Sequence, residues 1–597
     1  MDSAEDEVVV EEKVVRRKKN RKKSTNSSSS VSTTITTVET VEAEEIDRDE
    51  PIMCGLGDLV TSCLAKSPSA SSSFEDLRID SVENGKVIRN GNLSQLTCTN
   101  GGTHPFLRAS MFTGVPPTIR FYTKGTKVTK PTRKITAKLT WCYNNLLPIV
   151  MRHTLSASHF TIVDESLFHI GYWGRHLKSS QYRTLKPHQK VNHFPGAFHI
   201  GRKDRLWMHI RSRQEIFGDE FNIIPYTYLL PQEREELLEY LADDEYRHVI
   251  IKPPASARGT GIQVTRKAKD FPEGNQLVAQ HYVDRPLTIN GSKFDLRLYA
   301  YIPCLEPLRV YIYEQGLVRF ASVPYSKCIS TVSNKYMHLT NYSINKLAEQ
   351  DGVADSPVPK WALTNLWKYF EAMDIDSEKI KERIEETVVK AFISCEKPVR
   401  DHMAKFIDQG FICHELFGVD ILLDEDLKPW LLEVNISPSL HSGTPLDVSV
   451  KAPLAKDVLN IAGVYVPPLN DDVGDYMTRP RNGPKSREQL IKEKAWVNAY
   501  EDESGRLDPR ILKRLTPEDT RMLVEFEDEY NRRGGFKLIY PTVNTQHMLK
   551  FFAEPVYSNL LLQQWQIEQE ADRTVGYVRL ETLCRQGIMN DSRSPRT

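Results

Sequence analysis

The segment Gly418–Asn435, GVDILLDEDLKPWLLEVN, constrains this chain more than any other. Two apolar runs, Val419–Leu423 and Trp430–Val434, flank the turn-rich Asp424-Glu425-Asp426, and Lys428-Pro429 leads into the second run. That is the pattern of paired strands around a short loop. Side chains alternate across a strand, so Glu433 and Asn435 share a face, and hairpin pairing can set Asp420 beside them. Two carboxylates and an amide oxygen form a hard, all-oxygen cluster suited to magnesium carrying phosphate ligands. An ordinary hairpin with acids on its wet face would carry the same pattern, so the segment alone leaves both readings open.

A second segment narrows the choice. Lys293-Phe294-Asp295-Leu296-Arg297-Leu298-Tyr299 alternates charged and apolar residues, so Lys293, Asp295 and Arg297 line one face while Phe294, Leu296 and Leu298 pack behind. A solvated strand with mixed charges would look similar, but cations flanking a carboxylate can grip phosphates and a ribose hydroxyl together. Met337–Ser343 gathers short hydrogen-bonding side chains into one turn-like run. Ile250-Ile251-Lys252-Pro253 is an apolar strand ending in lysine. It leads into Ala257-Arg258-Gly259-Thr260-Gly261-Ile262, a glycine-bearing loop whose bare backbone can approach phosphates. No glycine–lysine–serine/threonine closes that loop, so it is not the Walker pattern.

Together these segments resemble the tubulin–tyrosine ligase-like family, whose catalytic domain has the ATP-grasp fold. The resemblance rests on Lys252-Pro253, Arg258-Gly259, Lys293–Tyr299, His338–Lys346 (HLTNYSINK), Gly418–Asp420 and Leu432–Asn435. It extends upstream through Asn192–Gly196 and Arg202-Lys203-Asp204, and downstream through Ser437–Leu440 and Pro445–Asn460, so that it covers Pro116 to Val466. Tyr226–Pro231 and Trp173–Arg175 bring it nearest the type-four polyglutamylase branch. The implied fold is α/β: a three-part ATP-grasp catalytic unit over residues 113–467, between a disordered low-complexity tail (1–112) and a helical C-terminal extension (468–597).

The resemblance also implies roles. Asp420, Glu433 and Asn435 would hold magnesium, as two ions, with Glu433 also counted among the catalytic groups. Lys252 and Lys293 would contact the ATP phosphates, Asp295 the ribose, and Phe294 would lie with them at the nucleotide. Gln280, His281, Tyr282 and Val283 would form the adenine hinge, and Thr340 and Asn341 would steady the phosphates and metal. Arg297 and Arg319 would bind an acyl phosphate as it forms. Arg258 and Gly259 lie where the family binds the acceptor chain, and Tyr342, Lys346 and Lys451 would hold the incoming amino acid's carboxylate. Joining a carboxylate to an amine through an acyl phosphate needs no side-chain nucleophile, so the lack of a serine–histidine or cysteine–histidine motif is no gap. It needs charge neutralisation and in-line positioning.

Composition sets the outer limits. The 597 residues, 40% hydrophobic and 26% charged, are enough for two or more domains with large cores. The formal net charge is zero, so no global field selects a polyanion such as nucleic acid. Nine cysteines lack any CxxC pair, which fits reduced thiols in the cytosol rather than a disulfide framework or zinc site. No apolar run approaches the roughly eighteen residues of a membrane span, and the acidic N-terminus is unlike a signal peptide. Between Arg120 and Lys138 lie seven basic residues and no acidic one, either a solvated edge or a landing strip for an acidic tail. The tail region holds a basic run, Arg16–Lys23, serine/threonine-rich stretches at Ser24–Thr37 and Ser67–Ser73, and a small apolar piece, Ile52–Val60. Lone histidines in the first part of the catalytic unit read as core or surface residues rather than metal ligands. Ile380, Ile384, Thr387, Val388 and Ala391 have helical spacing, with Ser377 as cap. Helices are expected over Ser486–Tyr500, Thr516–Tyr530 and Asn559–Glu570.

The leading reading is therefore a tubulin polyglutamylase, ligating glutamate to the γ-carboxylate of glutamates in tubulin tails and starting chains. A glycine ligase on the same scaffold is the first rival; cations gathered about the amino-acid pocket would favour glutamate. A microtubule-binding scaffold is the second. The implied partners are tubulin or microtubules, free glutamate, and acidic non-tubulin proteins such as nucleosome assembly factors, with no nucleic acid and no membrane. The implied location is the cytoplasm and cytoskeleton, including cilium or basal body, with nuclear access left open by Arg16–Lys23.

Overall fold

A computed structural model of the chain describes residues 81–83, 86–88 and 103–589, apart from 144–145, 166–167, 187, 257–258, 272–273, 275, 328–332, 354–358, 408–411, 467–484 and 504. The basic run Arg16–Lys23, both serine/threonine-rich stretches and Ile52–Val60 lie outside the described residues. Structure begins ahead of Pro116: Leu107–Arg108 pairs antiparallel with Thr118–Ile119, anchored by the buried Phe106 and Phe112.

The first unit carries a parallel sheet. Strands β1 (Thr140–Cys142), β2 (Thr161–Val163), β3 (Gly171–Tyr172) and β4 (Lys190–Val191) stand in the order β2-β1-β3-β4. Helix α1 (Ile149–Ala157) makes the crossover that a parallel pair requires. Helix α2 (Lys203–Phe217) leads to the second unit, an antiparallel sheet of β5 (Thr227–Leu230), β6 (Val249–Lys252), β7 (Gln263–Thr265) and β8 (Leu277–His281), ordered β7-β6-β8-β5. Helix α3 (Arg234–Asp243) covers it, and its Leu237 and Leu241 close a small core of their own with Tyr228, Val249, Ile251 and Phe271.

The third unit is organised by one long strand, β9 (Ser292–Ile302). Around it stand β10 (Val310–Tyr313), β11 (Leu317–Phe320), β12 (Lys360–Ala362), β13 (Glu415–Leu423) and β14 (Pro429–Asn435). Along one edge β9 pairs with β13; along the other its first half pairs with β11 and its second half with β10. Helices α4 (Tyr342–Gln350), α5 (Leu363–Ala372), α6 (Ser377–Ala404) and α7 (Pro445–Ala462) accompany the sheet. The periodic face of α6 is buried as expected, but the cap is Asp376, whose carboxylate accepts from the Lys379 N–H at 3.1 Å. Ser377 already has its side chain inside the first turn, where it is buried.

The C-terminal helices fall where expected: α8 (Arg487–Asp502), α9 (Pro517–Asn531) and α10 (Tyr557–Glu568), followed by α11 (Arg573–Arg585). The segment is not only helical, however. Its FKLIY run forms β15 (Phe536–Tyr540), which pairs with β10 and extends the central sheet. Glu529 of α9 accepts a fork from Arg309, with Nη2–Oε2 2.7 Å, and the hydroxyl of Tyr311; both charged side chains are at most 2% exposed. Among the described residues no helix is long and apolar enough to cross a membrane, and five buried cysteines form no disulfide.

Candidate functional site

The site is a row of charges running across the third sheet. In an antiparallel pair, directly opposite residues point to the same face. On one rung Lys360 lies opposite Arg319, which lies opposite Asp295. On the next, Arg297 lies opposite Asp420, which lies opposite Glu433. Asp295 and Arg297 are two apart on β9, so both rungs share a face, and Lys293 stands before them on it. The alternating pattern of Lys293–Tyr299 thus faces the way the sequence indicated. The hairpin does also, with one refinement: Leu432 is an extra residue, a bulge between Asp420–Glu433 and Ile421–Leu431. Bulges commonly re-aim side chains beside active sites.

The row is held by ion pairs. Arg297 forks onto Asp420, with Nη2–Oδ2 2.9 Å, and Arg319 forks onto Asp295, with Nε–Oδ1 2.7 Å, while also reaching Asp420 Oδ2 at 2.9 Å. Burial raises the cost of the charged Asp420, yet the two guanidiniums overcome it and hold its pKa well below the usual carboxylate range. For Asp295 burial wins over the pull of Arg319 and Thr340 and the pKa is raised. A ribose hydroxyl at Asp295 would have to share it with those two partners. Gly418, opposite Asn435, leaves room for this packing: a Cβ there would lie 2.8 Å from Pro438 Cβ and 3.4 Å from the Arg297 side chain.

Glu433 accepts from Lys203 Nζ at 3.0 Å and from Asn435 Nδ2 at 3.1 Å. The resemblance took in Arg202-Lys203-Asp204 but gave that lysine no role; it comes from the N-terminus of α2, where it also donates to the Ser256 carbonyl. Lys252 ends β6 and donates to Gln280 Oε1 at 2.7 Å. Lys293 donates to the Tyr282 hydroxyl at 3.0 Å, which in turn meets His338 Nδ1 at 2.8 Å. Both lysines are fully enclosed, and burial pushes their pKa values down, to about 8 for Lys252 and about 7 for Lys293. The structure thus brings together Lys252, Lys293, Gln280 and Tyr282.

The backbone N–H groups of His281 and Tyr282 donate to the Tyr226 and His248 carbonyls, so the open part of the hinge begins at Val283. The His281 ring stacks on Tyr240, centroids 3.9 Å apart. Phe294 requires a correction: it points to the opposite face from Lys293, is 1% exposed and packs against Phe320. Its place is in the core, as alternation along β9 demands. Asn341 stands at the N-cap position of α4 without a side-chain cap hydrogen bond, and the buried Thr340 hydrogen-bonds Asp295. Arg258 lies outside the described residues. Gly259 is at φ +76°, and a Cβ on it would meet Asn341 Oδ1 at 3.1 Å, so the glycine loop lies against the start of α4. Tyr342 is exposed beneath Lys360, with Nζ 5.0 Å from the ring centre. Lys346 is exposed one turn further along the same helix. Lys451 of α7 donates to Asp447 Oδ1 at 2.8 Å and to the His441 carbonyl, while Lys360 donates to Asp447 Oδ2 at 3.0 Å. Lys360 carries no local motif, and Asp447, inside the Pro445–Asn460 stretch of the resemblance, had been given no role.

A second cluster of possible metal-binding groups holds two histidines and a glutamate. His176, His193 and Glu415 bring ligand atoms within 4.8 Å of one another, but the two rings stack at 4.0 Å and 14°, so their in-plane lone pairs run parallel instead of converging. Burial lifts Glu415 to about 8 and drops His193 to about 4. Both shifts favour the neutral forms; Glu415 Oε1 and His193 Nδ1 lie 2.6 Å apart, and His193 Nε2 lies 2.8 Å from the Gly174 carbonyl. His193 is satisfied on both ring nitrogens, as expected of a core histidine, whereas His176 Nε2 is buried without a hydrogen-bond partner. The Asp420, Glu433 and Asn435 oxygens are the better match to a hard divalent cation in donor chemistry, with Glu433 opposite Asp420 and Asn435 two residues further along the same strand face.

Three sheet units, with buried lysines of the second and third converging on a charged rung beneath a glycine loop, define an ATP-grasp fold. Residues 180–473 match the model of the tubulin-tyrosine ligase family. The chain is 67% identical to tubulin polyglutamylase ttll-4 of Caenorhabditis briggsae, over 93% of this chain and 96% of that protein. It is 37% identical to the human tubulin monoglutamylase TTLL4, over 94% of this chain and 49% of that longer protein. With mouse tubulin polyglutamylase TTLL5 the identity is 33%, over 68% of this chain and 32% of that one. The chain belongs to the tubulin–tyrosine ligase family.

Proposed function

We propose that this protein is an ATP-dependent ligase that joins the amine of free glutamate to the γ-carboxylate of glutamates in tubulin tails. The observation that carries the reading is the double rung of Lys360, Arg319 and Asp295 beside Arg297, Asp420 and Glu433, because it gathers cations where two anionic substrates and ATP must meet. The acceptor carboxylate attacks the γ-phosphorus, ADP leaves, and an acyl phosphate forms. The donor amine then attacks the carbonyl carbon, and the tetrahedral intermediate collapses with release of phosphate and a proton.

In this scheme Lys252 and Lys293 bind the phosphates, and Gln280 and Tyr282 orient those lysines. Arg297 and Arg319 face the acyl phosphate, each pre-aimed by an aspartate, which spares reorganisation when charge develops. Asp420, Glu433 and Asn435 would hold magnesium, which would supply positive charge against the phosphates. Chain initiation is part of the proposal, supported by the human relative's name as a monoglutamylase. Acidic acceptors beyond tubulin, and ciliary microtubules, extend it; Lys124, Lys127, Lys130, Arg133 and Lys134 are exposed on the basic stretch and suit acidic partners. A tubulin acceptor places the activity in the cytoplasm.

The test is intact-mass spectrometry of unmodified tubulin incubated with the protein, ATP and magnesium, with glutamate or glycine supplied. Glutamyl increments are expected, and a glycyl ladder would overturn the donor. Glu433→Gln keeps the shape and removes one charge; it should lower turnover about 10²–10³-fold with the fold intact. Near-normal turnover in that folded variant would refute the metal assignment.

A further inference from the structure

Helix α2 carries Arg205, Arg211 and Arg213. Arg211 reaches Glu233, with Nη1–Oε1 2.6 Å, and Arg205 is exposed to solvent. Arg213 has neither an acid nor full hydration. It is half-buried, its Nε is enclosed and meets no hydrogen-bond partner among the described residues, and burial lowers its pKa with no carboxylate to offset the loss. A guanidinium drawn out of water without an anion is costly, and folded proteins seldom leave one so.

Arg213 lines a cleft of about 240 Å³ between α2 and α6. His209, one turn back on α2, and Ser212 line it from one side, and Ser394, Lys397 and Asp401 from the other. The acids at hand are taken: Asp401 accepts from Lys397 at 2.8 Å, and Glu554 from Arg400 at 2.8 Å. His209 meets His199 at 3.0 Å, and its pKa is lowered to about 4 by burial first, then by His199, Arg205 and Arg213. It therefore borders the cleft as a neutral ring and supplies no anion. At about 30 Å³ per water the volume equals about eight waters. That is room for a small anion with part of its hydration, and less than the roughly 300 Å³ at which pockets for drug-sized ligands begin.

We propose that this cleft binds a small oxyanion, a phosphate or carboxylate group, on the Arg213 guanidinium, with the Ser212 hydroxyl as a further donor. A guanidinium presents paired N–H groups that match two oxygens of either anion. Lys203, the lysine of α2 that reaches Glu433, lies ten residues before Arg213, about 15 Å along the helix axis. The cleft is thus separate from the charged rungs, and the proposal does not depend on the ligase reading. Free phosphate and free glutamate share the required chemistry.

The test is calorimetric titration of the full chain, with magnesium and a non-hydrolysable ATP analogue present throughout, using inorganic phosphate in one arm and glutamate in the other. The part of either isotherm that Arg213→Met removes belongs to the cleft. Arg213→Met should weaken that binding about 10- to 100-fold, and Arg213→Lys, which keeps the charge but loses the paired donors, should fall between the two. Without added anion Arg213→Met should melt no lower than wild type, because it removes an unpaired charge, so lost binding is not lost folding. A loss confined to the phosphate arm assigns the cleft to phosphate, and one confined to the glutamate arm assigns it to a carboxylate. If folded Arg213→Met binds both as wild type does, or if wild type binds neither, the proposal is overturned.

Discussion

Binding of MgATP should draw protons onto the protein, and more of them as pH rises. Lys293 and Lys252 are enclosed, with pKa values lowered to about 7 and about 8. Phosphate oxygens favour the ammonium form, so in the complex both lysines return above the working range. At pH 8 the free protein then carries roughly 0.1 proton on Lys293 and 0.5 on Lys252, and binding takes up roughly 1.4 protons. At pH 6.5 both are mostly charged beforehand and the uptake falls to roughly 0.3. The sign follows: affinity is highest at low pH and weakens as pH rises through 7 to 8, on the order of tenfold between 6.5 and 8.

Calorimetric titration of MgATP in two buffers of different ionisation enthalpy reads the uptake directly. Lys293→Met should reduce it at pH 8 to roughly 0.5, the share left to Lys252. An apparent enthalpy independent of buffer at pH 8, with affinity flat from pH 6.5 to 8, would refute the placing of both ammoniums at the phosphates.

Two further perturbations test the architecture around that site. Glu529→Leu leaves Arg309 buried without its anion and should cost about 3–5 kcal/mol, whereas Arg309→Met and Tyr311→Phe together with Glu529→Leu, which remove every partner, should be near neutral; chemical denaturation of both variants checks the difference. Gly418→Ala places a methyl 2.8 Å from Pro438 and against Arg297; an overpacking cost of about 1–3 kcal/mol is expected, with turnover falling further than stability because the Arg297–Asp420 fork is displaced. Turnover in proportion to folded fraction would refute that second part.

The hairpin and the central strand were legible because each is a local pattern: alternation over seven or eight residues, with a turn of aspartates between apolar runs. What pairs across them was not. Arg297 and Asp420 are 123 residues apart, and the bulge at Leu432 depends on how two strands settle against each other. Lys360 has no motif about it and takes its meaning from standing opposite Arg319. Phe294 was misplaced for a different reason: the family role was carried over a whole segment, although alternation had already put that ring on the far face. The strand Phe536–Tyr540 has a strand-like composition, but charged helices on either side masked it, and its partner β10 lies more than two hundred residues upstream.

That strand bears on catalysis. Only the first half of β9 carries the charged rungs; its second half is gripped by β13 on one edge and β10 on the other. Strand β10 is in turn fixed by β15 along its free edge and by the Arg309–Glu529 fork at its start. Side chains on a rung can be no better placed than the backbone beneath them, and a displacement of about 1 Å can cost about a hundredfold in rate. The C-terminal segment therefore acts on the site through the sheet, as the buttress of the strand that aligns Lys293, Asp295 and Arg297, rather than as an appendage to a finished catalytic unit.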